Sequence, residues 1–131
     1  YPGREGIVLC YGSHGSYVIM DVDHYVATKG GVVSLTRSLA IDLAQYGIRA
    51  NCVSPGSTDT PMLNRHYSTM DDSDDRRGRN IEAVPLKREG QPREIGSVIL
   101  FLASDEASFV HGASLVVDGG WTAGHRVEFG T

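Results

Sequence analysis

Apolar positions along the chain fall into short unbroken runs and longer helical stripes. Ile7-Val8-Leu9-Cys10-Tyr11 is an apolar run without alternation, the pattern of a strand covered on both faces of a parallel sheet. Gly12-Ser13-His14-Gly15-Ser16 breaks it, and Tyr17-Val18-Ile19-Met20 reads as extended. The spacing then predicts one long helix over 24–46, with Val32, Leu35, Leu39 and Leu43 as an apolar stripe. Asp23 is placed to cap its start, and Gly47 to stop it. Gly30-Gly31 inside that helix costs roughly 1 kcal/mol per residue relative to Ala, which points to a close approach by another backbone or a ligand. Arg49-Ala50-Asn51-Cys52-Val53 reads as a second strand, ended by Ser54-Pro55-Gly56. A strand–helix–strand unit of this length suits a crossover between parallel strands.

Residues 62–82 differ. Asp71-Asp72-Ser73-Asp74-Asp75-Arg76-Arg77-Gly78-Arg79 is dense in charge and carries no apolar periodicity, so the stretch reads as a solvated loop or a lid over a substrate. A shorter helix over 92–103 opens on Pro92 and shows Ile95, Val98, Ile99 and Leu102 as its buried stripe. Ser114-Leu115-Val116-Val117 is a third strand, stopped by Asp118-Gly119-Gly120. No repeat and no domain boundary interrupts the pattern. The expected architecture is an α/β unit of three parallel strands and two main helices.

Composition narrows the function classes. The 131 residues suit one domain. A net charge of −4 gives no electrostatic reason to bind nucleic acid or an anionic membrane. The longest wholly apolar run, 98–103, has six residues, against the ~20 of a membrane-spanning helix. No signal-like segment opens the chain. Two cysteines, Cys10 and Cys52, are too few for a disulfide framework; they read as reduced thiols, and the compartment as cytoplasmic.

Tyr25 and Lys29 stand four residues apart, so both side chains share a helix face. An ammonium beside a phenol favours the phenolate, which suits a general acid working on a carbonyl oxygen, or a base on an alcohol. Such a pair also arises by chance in many helices, and its surroundings decide. Ser13, Asp118 and His125 follow the chain order of α/β-hydrolases, but Tyr11 stands where the nucleophile elbow needs glycine. Asp21, Asp23, His24 and His14 cluster without a metal-ligand spacing, and no metal is expected. His66, His111 and His125 have no evident partner and are expected at the surface.

The surroundings of the Tyr25–Lys29 pair form an ordered series. Lys29-Gly30-Gly31-Val32-Val33-Ser34-Leu35-Thr36-Arg37-Ser38-Leu39-Ala40 follows it, then Gly47-Ile48-Arg49-Ala50-Asn51, Ser54-Pro55-Gly56 and Thr60-Pro61-Met62. Pro85-Leu86, Gly90-Gln91-Pro92-Arg93-Glu94-Ile95, Phe101-Leu102-Ala103-Ser104-Asp105 and Val116-Val117-Asp118-Gly119-Gly120 complete it. Over about residues 6–124 this series resembles the C-terminal half of a short-chain dehydrogenase/reductase. The resemblance implies a doubly wound Rossmann-type parallel sheet, with residues 1–131 as a single partial NAD(P)-binding domain lacking the N-terminal glycine-rich half. It also implies an oxidoreductase that interconverts a small-molecule alcohol and carbonyl by hydride transfer with NAD or NADP. Tyr25 would exchange the proton with the substrate oxygen, and Lys29 would hold the nicotinamide ribose and lower the phenol pKa. Pro55, Gly56, Thr58 and Thr60 would line the nicotinamide side, largely through backbone groups. The segment after Pro61 would be the variable substrate loop, and the last helix and strand a homo-oligomer interface.

Two departures accompany the resemblance. The family's catalytic serine falls 13 residues before the tyrosine, which is Gly12, with Ser13 one step on. Ser13 is the residue expected to fill that role, with Ser16 a weaker substitute. Neither G-x-G-x-x-G nor the family's own glycine-rich fingerprint occurs in the chain. The alternative reading is therefore a non-catalytic or split fragment that needs a missing half or a partner to act. Its open sheet edge predicts an oligomeric or poorly soluble chain unless covered.

Overall fold

In the computed structural model, which describes residues 6–13 and 23–124, the middle strand of one parallel sheet organises everything else. Strands β1 (Gly6–Tyr11), β2 (Ile48–Pro55) and β3 (Ser114–Val117) lie in that spatial order. The β1–β2 register runs from Gly6↔Ile48 to Tyr11↔Val53, and the β2–β3 register from Cys52↔Ser114 to Pro55↔Val117. Every residue from 50 to 55 is buried. Strand β2 thus begins one residue earlier and ends two later than the apolar run alone indicated. Its Pro55 sits at the last position, where a missing ladder donor costs least.

Helix α1 (Asp23–Ala44) packs against β2. It ends two residues before the expected limit, where Gly47 at φ 69° donates to Ala44 O (3.0 Å) and closes the turn. The buried face is also different from the expected one. Val33, Thr36 and Ala40 are buried, whereas Leu35 is 53% exposed and Val32, Leu39 and Leu43 only half-buried. Small side chains let the helix lie close to the strand, so the larger ones come to rest at the border of the contact. Thr36 tolerates burial because its hydroxyl donates to Val32 O (2.8 Å). A methyl group at Gly30 or Gly31 would meet no described atom within 4 Å, so the close backbone approach expected there is not seen. Asp23 is itself the first helical residue; its side chain lies outside the described residues.

Residues 62–82 form no loop. They carry α2 (Pro61–Ser68) and α3 (Ser73–Ala83), which makes four helices in place of two. Caps and charges order them. Thr60 Oγ1 accepts from Leu63 N (3.2 Å), Pro61 opens α2, and Arg65 and His66 lie in its last turn. Asp74 and Asp75 occupy the first turn of α3. The pair buries one side chain, Tyr67, so it has no apolar stripe to read.

Helix α4 (Pro92–Ala103) follows the expectation. Ile95 and Leu102 are buried, and Val98 and Ile99 half-buried. With Val53 and Ala107 they build the core on one face of the sheet, joined by Leu9, Val110 and Val117. The connection into β3 is clipped to β2 by side chains. Asn51, fully buried, donates to Val110 O (2.9 Å) and accepts from Ala113 N (3.1 Å). His111 accepts from Ala50 N at Nδ1 (3.2 Å), which leaves Nε2 to donate to Ala40 O (2.7 Å). The absence of a partner expected for His111 is thus corrected: its ring ties α1, β2 and the 110–113 turn together. No helix among the described residues is long and apolar enough to cross a membrane.

Candidate active site

Parallel strands end at the same side of a sheet, so the residues after β1, β2 and β3 gather there, the usual place for a ligand in such a fold. The start of α1 delivers Tyr25 and Lys29 to the same side. Lys29 Nζ donates to Tyr11 O (3.1 Å), which holds the ammonium over the end of β1. From there it lies 5.8 Å from the Tyr25 ring centroid and 5.6 Å from that of Tyr11. Tyr25 remains 40% exposed, open to a ligand arriving from solvent. The structure therefore brings the two helix residues together around one cation.

Tyr11 is the residue that sequence reasoning missed. It is exposed, and burial of its hydroxyl end first, then the neighbouring Tyr25 phenol, push its phenol above the ordinary 10. A signal existed in the sequence: Tyr11 is the last residue of an apolar strand run, immediately before the Gly12 position.

Ser13 is buried, beside Gly12. Gly12 N donates to Val53 O (2.7 Å), and a Cβ built on Gly12 would fall 2.5 Å from Ser54 Oγ and 2.9 Å from Cys52 Sγ. A serine at position 12 would thus displace its neighbours. Ser54 Oγ itself pairs with Ser114 Oγ (3.2 Å) beneath that glycine. His14, Ser16, residues 17–20, Asp21 and His125 lie outside the described residues.

Pro55, Gly56, Thr58 and Thr60 belong to one turn. Gly56 N donates to Val117 O (2.9 Å), and a Cβ there would fall 2.7 Å from Asp118 Cα, so only glycine lets the two backbones meet. Thr58 Oγ1 donates to Gly56 O (3.0 Å), and Thr58 pairs with Gly90 in a short parallel bridge. Asp59 N donates to Gly90 O (2.9 Å) and Gly90 N to Ser57 O (2.9 Å). The Thr60 hydroxyl caps α2. Both threonine hydroxyls thus serve the turn itself. Asp118 caps the next one, accepting from Gly120 N (2.9 Å) and Thr122 N (2.8 Å). Among the described residues no group of three or more His, Cys, Asp or Glu is placed to hold a metal.

Comparison with known proteins bears on the family and the fold. A family model described as "Enoyl-(Acyl carrier protein) reductase" matches residues 2–122. The chain is 42% identical over 119 residues to an L-rhamnose 1-dehydrogenase (NAD(P)(+)) of Azotobacter vinelandii, covering 90% of this chain and 45% of the relative. It is 46% identical over 104 residues to an L-fucose dehydrogenase of Oryctolagus cuniculus, covering 79% and 36%. The solved aldohexose dehydrogenase of Thermoplasma acidophilum superposes with a TM-score of 0.89 at 30% identity, over 98% of this chain and 52% of that one. The chain thus spans about half, or less, of the length of the relatives it matches.

Proposed function

Since the chain belongs to the short-chain dehydrogenase/reductase family of oxidoreductases, we propose that it serves the reversible interconversion of a small-molecule alcohol and carbonyl, with Tyr25 as general acid/base. The observation that carries this reading is the Lys29 ammonium, fixed by Tyr11 O at 3.1 Å and lying 5.8 Å from the Tyr25 ring at the C-terminal side of the sheet. A cation there stabilises negative charge as the phenol gives up its proton to the substrate oxygen. In this reading Ser13, buried beside Gly12, polarises that oxygen.

The cofactor of this reading is NAD or NADP, which supplies or accepts the hydride when bound. The residues present fit its nicotinamide end. Lys29 offers ammonium protons, Tyr25 a hydroxyl, and the 55–60 turn a rigid backbone edge at Pro55, Gly56, Thr58 and Thr60. The pyrophosphate end needs a glycine-rich turn at a helix start, and the sequence contains no such fingerprint. In this reading residues 1–131 are one partial dinucleotide-binding domain, and the protein assembles as a homo-oligomer. Two free thiols, Cys10 and Cys52, fit a reducing compartment such as the cytoplasm. The short coverage of its relatives favours a second reading, in which this chain alone is inert and acts only with a companion half.

Two measurements test these readings. Tyr25→Phe removes one hydroxyl and is expected to lower turnover on a panel of sugars and small ketones by ~100-fold or more, with an unchanged circular dichroism spectrum. Undiminished turnover overturns the assignment. Titration with NADH and NADPH, followed by nicotinamide fluorescence, separates the two readings: saturable binding supports a working site, and no binding supports the inert half.

A further inference from the structure

Helices α2 and α3 bury almost nothing apolar, yet they are held against the body of the chain. One guanidinium bonds to α2 and to the body of the chain at once. Arg77, on α3, donates from Nε to Glu89 Oε1 (3.1 Å) and from Nη2 to Glu89 Oε2. Its Nη1 donates to Asn64 Oδ1 of α2 (3.0 Å), and Nη2 reaches Asp59 Oδ1 (3.5 Å). Asn64 Nδ2 donates to the same Asp59 oxygen (3.0 Å). The guanidinium also lies 5.5 Å from the ring centroid of Tyr67, whose hydroxyl accepts from Asn80 Nδ2 of α3 (2.9 Å).

These contacts join three parts of the molecule. Asn64 and Tyr67 belong to α2, and Arg77 and Asn80 to α3. Asp59 and Glu89 belong to the frame, Asp59 between Thr58 and Thr60, and Glu89 next to the Gly90 that pairs with Thr58. Glu89 is 7% exposed, so its carboxylate needs a cation, and Arg77 is the one it meets among the described residues. A fork of fixed geometry is required to serve Glu89 through two nitrogens while a third bonds Asn64. We propose that Arg77 is a positioning residue that clamps α2 and α3 onto the 56–60 turn, so that the substrate-side helices and the nicotinamide-side turn move as one unit. Its consequence for substrate rests on the reading given above; the clamp itself does not.

Hydrogen exchange of the chain, read by mass spectrometry, tests the clamp. Arg77→Met is expected to speed exchange of amides in 61–83 by about tenfold or more, the effect of losing charge-assisted hydrogen bonds, while amides of 50–55 keep their rate. Arg77→Lys keeps the charge without the fork and is expected to recover only part of the protection. Glu89→Gln keeps the shape without the charge and is expected to loosen the same segment. Unchanged exchange in 61–83 for Arg77→Met or Glu89→Gln overturns the proposal. So does an equal rise in 50–55, since it would mean general destabilisation. A parallel run of the wild-type chain with NADH or NADPH keeps the two ideas apart. Slower exchange at 56–60 supports the nicotinamide-side assignment, and no change there supports the inert half while leaving the clamp result standing.

Discussion

Strand β2 and the α2–α3 pair are neighbours across the 56–60 turn, yet different forces hold them. Strand β2 is enclosed: six consecutive residues are buried, a strand lies on each side, and Asn51 uses its amide to fasten the chain that leads into β3. The α2–α3 pair contributes one buried side chain and is ordered by caps, helix-end charges and Arg77. Burial of apolar surface is non-directional and tolerant. A polar clamp depends on each atom that makes it. The molecule therefore joins a frame that resists single substitutions outside its core to a flap that one substitution can release.

The contrast breaks most severely at Leu102, which is fully buried in the core under the sheet. Leu102→Ala is expected to cost ~2–5 kcal/mol of global stability, seen as an earlier denaturant midpoint in which frame and flap unfold together. A flap that survives after the frame has melted would contradict the division. Thr60→Ala removes the cap of α2 and is expected to cost about 1 kcal/mol. That loss should appear as faster exchange over 61–68, with the global midpoint little changed. The smallest effect lies at the start of α4. There the paired hydrogen bonds from Arg88, and next the Gln91 backbone N–H, hold the Glu94 carboxyl at about 2, below its ordinary 4.5. A lowered carboxyl contributes stability above 4.5 and loses it as the pH falls toward 2. Comparing wild type with Glu94→Gln in acid titrations should show the difference shrinking through that window, and a constant difference would show that the pair does not act by charge.

This division also explains what the sequence revealed. Strand β2 and α4 were legible because their apolar residues face a core, and Ile95 and Leu102 are buried where the stripe placed them. Strands β1 and β3 were legible as short apolar runs, but Ile7, Tyr11 and Leu115 are exposed, so β1 is not covered on both faces. The long helix was legible, but its buried face was not. Val33, Thr36 and Ala40 face β2 because their smaller side chains allow a close approach, whereas a reading by hydropathy favours the larger Leu35. Helices α2 and α3 were illegible for a matching reason, since charge and caps leave no periodicity. The Tyr25–Lys29 pair could be read because both residues sit on one helix, four apart. The place of Tyr11 at the end of the first strand was visible but its tie to Lys29 was not, and His111 could not be read because its role depends on Ala50 and Ala40, which lie 61 and 71 residues away.

The central position of β2 also sets a schedule. Its second neighbour enters the chain late: Ser54 meets Ser114 across 60 residues. At synthesis rates of about 5–20 residues per second, that interval lasts roughly 3–12 s. Through it, a strand destined for burial, with one unpaired edge, waits beside the ribosome, an arrangement prone to pair with any other exposed edge. The stretch between the two strands is where α2 and α3 are made, charged and nearly free of buried surface. A nascent chain carrying that polar segment next to its open edge gains a soluble neighbour during the seconds in which it most needs one.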